Sequence, residues 1–173
     1  MIKLCITIFA ILAVWHSSAF AEELHTNKIR NGIYKTLECH TDLYGKELKN
    51  ATELLLATAA VESDLGNGVY NKRHGIFQVM PVCEQAVLKN LSKKDRQKLL
   101  KLKRKNLRQY HTLIVFNYYK SRFKKHNIVF PDYKDASQQA YLWKKYYNTY
   151  LGKGTKKVFL HKAKKYEIGR WKS

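Results

Sequence analysis

Residues 48–65, LKNATELLLATAAVESDL, are the stretch from which the fold can be predicted. Apolar residues recur in it at the spacing of one helical face, and Gly66 follows as a C-terminal stop signal. The sequence therefore predicts a helix from Leu48 to Leu65, with Glu62 on its last turn. A carboxylate is unfavourable at that position, because the negative end of the helix dipole lies there and burial removes hydration. We expect a raised pKa for Glu62, which a general acid working near neutral pH needs.

Further helices are predicted downstream of this stretch. A polar loop or short hairpin is expected over Asn67–His74, and Pro81 marks the start of the next helix. Ser92–Asp95 resembles a capping box that opens a basic helical stretch running, with a break, to His126. Asp135–Tyr150 has the pattern of a final helix. The sequence predicts a mainly helical, single compact domain, for which the chain is long enough.

The N-terminus has the pattern of an export signal. Lys3 precedes an apolar run over Leu4–Trp15, and Ala19-Phe20-Ala21 supplies the small residues of a signal-peptidase site. We expect a signal peptide over residues 1–21 and a mature domain over residues 22–173, located in the periplasm or cell envelope or secreted. The alternative is a retained N-terminal anchor, which is less favoured because a spanning helix needs about 20 apolar residues.

Two cysteines remain after the predicted signal peptide. Cys39 and Cys83 would reach an oxidising compartment, where a single disulfide closing a loop that contains Glu62 is the simplest expectation. The alternative is a pair of buried free thiols. Neither cysteine belongs to a recognisable set of metal ligands, so the sequence predicts no metal site and no cofactor.

The chain is strongly basic. It has 33 lysines and arginines against 13 acidic residues, a formal charge of +20. Such a surface binds polyanions without sequence preference, and the mixture of basic and aromatic residues in Trp143–Tyr147 is one found in proteins that bind nucleic acids. Export instead favours envelope anions such as peptide-stem carboxylates or lipopolysaccharide phosphates. The alternative is a solvated surface that binds no particular ligand.

Three short motifs identify a family resemblance. Glu62-Ser63 is followed by Gly75-Ile-Phe-Gln78-Val-Met80-Pro81, and Tyr147-Asn148 comes late in the chain. In this order they resemble the active-site signature of the soluble lytic murein transglycosylase family. The resemblance implies a lysozyme-like α+β fold, mainly α, with a catalytic cleft, and peptidoglycan glycan strands as the substrate.

The resemblance also implies residue roles. Glu62 would protonate the oxygen that links N-acetylmuramic acid to N-acetylglucosamine, and would then accept the proton of the muramoyl C6 hydroxyl as that oxygen closes onto C1. The product is a 1,6-anhydromuramoyl end. Ser63 and Gln78 would position the sugar, Met80 would line the cleft, and Tyr147 would donate a hydrogen bond to the carboxyl of Glu62.

Two other functions stay open. Most glycosidases use two carboxylates, and a goose-type lysozyme-like hydrolase would need a second one across the cleft from Glu62. Asp64 is the nearest in sequence, but residues two apart on a helix point to different sides. The other alternative is a non-catalytic basic envelope-binding protein. A secretion or surface apparatus is a candidate partner, and we expect a monomer without specific nucleic-acid binding.

Overall fold

The computed structural model describes residues 2–68, 71–147 and 156–170. These ranges contain seven α-helices and no β-strand, so the prediction of a mainly helical fold is confirmed. Shorter elements are 3₁₀ turns at Asp64–Gly66 and Lys72–His74 and a π-helical turn at Trp143–Tyr147. The helices are α1 (Ile2–His40), α2 (Gly45–Ser63), α3 (Pro81–Asn90), α4 (Lys93–Lys105), α5 (Leu107–Lys125), α6 (Ala136–Leu142) and α7 (Lys156–Lys165).

Helix α2 is the centre of the domain. All of its residues from Asn50 to Ala60 are buried, which is more than one apolar face of an amphipathic helix would bury. Helices α1, α5 and α7 pack around it. Polar side chains in this helix bond within the interior, as Thr58 does by donating to the carbonyl of Leu54 at 2.8 Å. The burial of α2 fixes the position of its last turn, which carries Glu62.

Several predicted helix boundaries are confirmed. Pro81 occupies the first turn of α3, where its missing N–H leaves no intrahelical bond unmade. The Ser92 hydroxyl accepts from the backbone N–H of Asp95 at 3.1 Å and donates to its carboxylate at 2.7 Å, so the capping box forms. The predicted break in the basic stretch lies at Asn106, whose side chain caps α5.

The end of α2 differs from the prediction. The helix ends at Ser63 rather than at Gly66, because Asp64 and Leu65 have left-handed φ angles of 55° and 56°. Aspartate adopts this conformation at modest cost, whereas a leucine with positive φ is strained. The chain therefore turns sharply just after Glu62, and Asp64 lies outside the helix that carries Glu62.

Other elements also differ from the sequence-based expectation. No hairpin strand occurs in the described part of Asn67–His74, which contains a single 3₁₀ turn. The predicted helix over Asp135–Tyr150 is α6 followed by the π-helical turn, and its last three residues lie outside the described ranges. Helix α7 was not predicted.

Helix α1 runs without interruption past the predicted cleavage site after Ala21. Its second half packs on α2 and α5 through the buried side chains of Ile29, Ile33 and Leu37. No helix in the described residues is long and apolar enough to span a membrane. The signal peptide over residues 1–21 stays a prediction.

The predicted disulfide does not form. Cys39 is exposed near the end of α1, and Cys83 is partly buried in the first turn of α3; both are free thiols. Cys39 lies in a cavity whose wall includes Phe116 of α5, whereas Cys83 contacts Tyr118 of the same helix. These two residues face opposite sides of α5, so that helix separates the cysteines.

Candidate active site

Glu62 projects from the last turn of α2 and is bonded by an indole. The Nε1–H of Trp143 donates to Oε1 of Glu62 at 3.1 Å. Trp143 is fully buried, and its ring packs against Phe159 of α7 with centroids 5.5 Å apart. The donor is therefore held in place by the packing of the π-helical turn against α7. The sequence did not predict this contact, because Trp143 and Glu62 are 81 positions apart.

The environment of Glu62 favours the protonated acid. Burial raises its pKa from 4.5 to about 7, and the Trp143 hydrogen bond opposes part of that rise. Glu62 is partly exposed rather than fully enclosed. A carboxyl with this pKa is present in both protonation states at neutral pH, which suits a group that must first donate and then accept a proton. The predicted direction of the shift is confirmed.

Tyr147 lies near Glu62, but the expected hydrogen bond from its hydroxyl to the carboxyl does not form. Its hydroxyl donates instead to the backbone carbonyl of Phe77 at 2.7 Å. The ring of Tyr147 stacks on Tyr119 with centroids 5.5 Å apart, and burial together with the nearby charge of Glu62 raises the pKa of Tyr147. Tyr147 therefore connects the π-helical turn to the Phe77 backbone, while Trp143 donates to the carboxyl. Asn148, the second member of the predicted pair, lies outside the described residues.

Ser63 bonds within the protein, and its predicted contact with substrate stays a prediction. It is buried, and its hydroxyl donates to the carbonyl of Ile76 at 2.7 Å and to that of Ala59 at 3.1 Å in an alternating or shared bond. The same oxygen accepts from the N–H of Gly66 at 3.0 Å. The hydroxyl proton and one lone pair are thus used within the protein, and these bonds tie the end of α2 to the segment that contains Gln78.

Gln78 stabilises its own loop. Its Nε2 donates to the carbonyl of Gly75 at 2.7 Å and to that of Asn71 at 3.1 Å, while its Oε1 accepts from the N–H of Asn71 at 3.1 Å. Both amide protons are used, so the only group left for a ligand is the second lone pair of Oε1. Gly75 has φ 65°, and a Cβ there would overlap the ring of His111, which explains the glycine of the motif.

Met80 remains available to a ligand. It precedes α3 in extended conformation, and its side chain is 48% exposed. No hydrogen bond joins the Gln78 amide to Glu62 in the part of the chain that the structure describes. Of the predicted site residues, Glu62 and Tyr147 are brought together, Ser63 is turned into the interior, and Gln78 and Met80 form the adjoining segment.

Asp64 makes its side-chain contacts with α7 and the residue that follows it. It pairs with Lys162 of α7, accepts from the Tyr166 hydroxyl at 2.6 Å, and lies 3.6 Å from Lys165. Burial would raise its pKa, but the bonds from Lys162 and Tyr166 outweigh burial and lower it. Asp64 is therefore an ionised, paired carboxylate in a basic cluster on α7.

No second carboxylate influences Glu62. All 13 acidic residues of the chain lie within the described ranges, and none of them is among the groups that shift the pKa of Glu62, which in the described residues are burial and the Trp143 hydrogen bond. Several other carboxylates have their own basic partners. Examples are Glu53 with Arg30, Glu84 with Lys103, Asp132 with Lys46 and Glu22 with Lys165.

Two cavities lie on opposite sides of α5. One of about 680 Å³ lies between α4, α5 and the end of α1, and none of its lining residues contacts Glu62. The other, of about 290 Å³, is lined by residues of α3, α5 and the π-helical turn, including Cys83 and Tyr118. The smaller cavity adjoins the surroundings of Glu62, because Tyr118 meets Tyr147 edge to face with centroids 5.9 Å apart.

The chain has no match among known protein families, characterised proteins or solved structures. Inference about function therefore depends on the motifs and on the geometry around Glu62.

Proposed function

We propose that the protein is a lytic transglycosylase that cleaves the β-1,4 bond between N-acetylmuramic acid and N-acetylglucosamine in peptidoglycan. The observation that carries this proposal is Glu62: a partly buried carboxyl with a pKa of about 7, bonded by an indole N–H, with no other carboxylate among the groups that shift its pKa. The motif resemblance supplies the substrate class. The helical domain is, in this proposal, a lysozyme-like one with its cleft at Glu62.

The first step needs a proton on the cleft side of the carboxyl. An indole N–H only donates, so Oε1 of Glu62 accepts the Trp143 bond in both protonation states. The acidic proton is therefore carried by Oε2. Transfer of this proton to the glycosidic oxygen breaks the bond to C1, and the N-acetylglucosamine hydroxyl leaves as a neutral alcohol.

The second step uses the same carboxyl as a base. The oxygen of the muramoyl C6 hydroxyl forms a bond to C1, and its proton returns to Oε2 of Glu62. The product is a 1,6-anhydromuramoyl end, and no water is consumed. A single acid/base group suffices because the nucleophile belongs to the substrate, which agrees with the lack of another carboxylate among the groups that shift the pKa of Glu62.

A hydrolase is less well supported. A retaining or inverting glycosidase needs a second carboxylate within about 5–10 Å of the acid, across the sugar. Asp64 is held by Lys162 and Tyr166 and lies outside α2. Met80, with its side chain about half exposed, would line the cleft, and the free lone pair of Gln78 would accept from a sugar hydroxyl or amide.

The proposed substrate sets the location. Glycan strands lie outside the inner membrane, so the proposal includes export by means of the predicted signal peptide over residues 1–21. Envelope polyanions would hold a chain of charge +20 near the wall, and a secretion or surface apparatus is the candidate partner. The protein would act as a monomer without a cofactor.

The test is mass spectrometry of the soluble muropeptides released from purified peptidoglycan. We expect anhydromuramoyl products from the wild-type protein and none from Glu62→Gln, which keeps the shape and the Trp143 bond but loses the proton. Glu47→Gln is the matched control, because Glu47 is an exposed glutamate in the first turn of the same helix. The control should release products at the wild-type rate.

Other outcomes identify the alternatives. Reducing-end products would mean hydrolysis by water and would contradict the transglycosylase proposal. No cleavage by the folded wild-type protein, together with salt-sensitive binding to peptidoglycan that survives Glu62→Gln, would indicate a non-catalytic envelope-binding protein.

A further inference from the structure

The cavity of about 290 Å³ lies next to the candidate active site. It is bounded by the first turns of α3, by α5 and by the π-helical turn. Its volume is near the lower end of the range for ligand pockets, about 300–1,000 Å³, which suits part of a short peptide or one sugar substituent. The lining residues are Val82, Cys83, Ala86, Tyr118, Arg122, Lys145 and Tyr146.

The cavity lies near the surroundings of Glu62, although Glu62 is not part of its wall. Cys83 and Tyr118 form part of its wall, and Tyr118 meets Tyr147 edge to face. The pKa of Cys83 is raised by burial, with a smaller contribution from the charge of Glu62, so the charge of the carboxyl reaches the thiol. A substrate with its scissile bond at Glu62 would therefore place an adjoining substituent at this cavity.

Two cations at the cavity have no acidic partner. Arg122 and Lys145 are exposed, and neither forms an ion pair with any residue in the described ranges, which include every aspartate and glutamate of the chain. Many surface lysines and arginines lack an acidic partner, so the lack of a partner does not by itself identify a site. The position and orientation of Arg122 and Lys145 therefore decide what these two cations can bind.

Aromatic rings orient both cations. The guanidinium of Arg122 lies over the ring of Tyr118, 5.2 Å from its centroid, and Nη2 donates to the Tyr118 hydroxyl at 3.4 Å. Lys145 donates to the hydroxyl of Tyr141 at 3.2 Å and lies 5.2 Å from the centroid of Tyr146. Each cation therefore keeps donors free for an anion. Arginine presents five N–H donors, in a geometry that matches a carboxylate.

We propose that Arg122 and Lys145 form an anion subsite that binds a carboxylate of the peptide stem attached to the muramoyl sugar. This inference rests on the proposed function for the identity of the substrate. Val82 and Ala86 supply small apolar surfaces beside the two cations, which suits a peptide with short side chains. The subsite makes the protein selective for glycan strands that carry stems.

The test compares two substrates with the full chain: peptidoglycan with its peptide stems, and the same material stripped of stems by an amidase. Arg122→Gln combined with Lys145→Gln should lower kcat/KM on the stem-bearing substrate about tenfold, mainly through KM. The rate on stripped glycan should change less than twofold. Lys124→Gln combined with Lys144→Gln is the matched control, because these exposed lysines neighbour the two cations but do not line the cavity.

A binding measurement decides the subsite even if the chain cleaves no glycan. A synthetic stem tetrapeptide with free carboxylates should shift NMR signals of the wild-type protein and of the control, but not those of the Arg122/Lys145 double variant. The carboxamide form of the peptide should not bind. Absence of glycan cleavage with intact peptide binding would refute the proposed function alone.

Three results would overturn the subsite. The first is an equal loss of activity on both substrates, which would mean a general effect on glycan binding or folding. The second is peptide binding that the double variant retains. The third is competition by inorganic phosphate at the same concentration as the peptide, which would mean an anion site without selectivity for the stem.

Discussion

Glu62 is a residue whose burial serves chemistry at the expense of stability. An acid whose pKa is about 7 in the folded protein and 4.5 otherwise binds more protons when folded than when unfolded between these pH values. The free energy of unfolding therefore falls as pH rises from about 4.5 to about 7, and the loss persists above pH 7. This direction is opposite to that of a carboxylate in a salt bridge, such as Asp64, whose pKa is lowered.

Glu62→Gln should therefore stabilise the protein in a pH-dependent way. We expect its free energy of unfolding to equal that of wild type at pH 4 and to exceed it by about 1–3 kcal/mol at pH 8. A fully buried group would give about 1.36 kcal/mol for each unit of pKa shift, and the gain is smaller because this side chain keeps some contact with water. Urea unfolding at several pH values measures it. Glu47→Gln, at an exposed position, should show no such trend; a gain for Glu62→Gln that is constant with pH would contradict the raised pKa.

At the residue scale, the direction of the pKa shift of Glu62 was predicted from the sequence, but the hydrogen-bond partners of the other site residues were not. The raised pKa of Glu62 was predicted because the apolar neighbours on its helix indicated burial, and burial is the cause of the shift. The bonds of Ser63, Gln78 and Tyr147 depend on which backbone carbonyls tertiary packing brings near them, and no spacing rule encodes that. Ser63 illustrates the difference, since its hydroxyl bonds to the carbonyl of Ile76 across a turn.

At the scale of elements, the π-helical turn determines which side chain reaches Glu62. A π turn includes an extra residue relative to an α-helical turn and changes the direction of the side chains that follow. In Trp143–Tyr147 this geometry directs the indole to Glu62 and the Tyr147 hydroxyl to the carbonyl of Phe77. Helix α7 supports the arrangement because Phe159 packs against the indole.

Trp143→Phe should raise the pKa of Glu62 further, because it removes the hydrogen bond that lowers it. Activity that needs the protonated acid falls as pH rises through this pKa, so the alkaline limb of the kcat/KM profile should move to higher pH. The expected shift is about one pH unit, because a hydrogen bond to a charged group contributes roughly 1.5 kcal/mol. Measurement of the profile, with a carboxyl NMR titration, checks the shift.

Phe159→Leu is the control for packing, since it loosens the support of the indole but keeps its N–H. It should reduce stability and move the alkaline limb by less than Trp143→Phe does, because the N–H is still present to donate to Glu62. An unmoved limb in Trp143→Phe, or an equal movement in both variants, would mean that the indole bond does not set the acidity of Glu62.

Elements with a strong local signal were predicted, and those that depend on packing were not. Pro81 and Ser92 mark helix starts through chemistry confined to a few residues. Helix α1 beyond residue 21 was missed although Ile29, Ile33 and Leu37 recur at helical spacing, because polar buried residues such as Arg30 interrupt the apolar pattern. The π-helical turn could not be predicted from the spacing of apolar residues, because that method assumes the same rise and rotation per residue throughout a helix.

At the scale of the whole molecule, one buried ion pair joins both ends of the described domain to its centre. Glu53 of α2 accepts from Nε of Arg30 in α1 at 2.7 Å and from the N–H of Gly169 at 2.5 Å. Arg30 also donates to the carbonyl of Glu167 at 3.0 Å. Gly169 has φ 86°, and a Cβ there would meet the carbonyl of Tyr133 at 2.5 Å, so this approach needs glycine.

Arg30→Met should destabilise the protein by about 3–5 kcal/mol, because it leaves the charge of Glu53 buried without its partner. Adding Glu53→Gln should restore part of that loss, since the amide oxygen still accepts from Gly169 and carries no charge. Arg170→Gln is the control: its pair with Glu167 is exposed, and such pairs contribute about 0–1 kcal/mol. Denaturant unfolding of the four proteins measures these differences. Two results would contradict this role of the ion pair: a loss of stability in Arg30→Met no larger than in Arg170→Gln, or a double variant no more stable than Arg30→Met. In either case the pair would not hold α1 and the turn after α7 to α2. The support of Trp143 by α7 would then have to come from apolar packing alone.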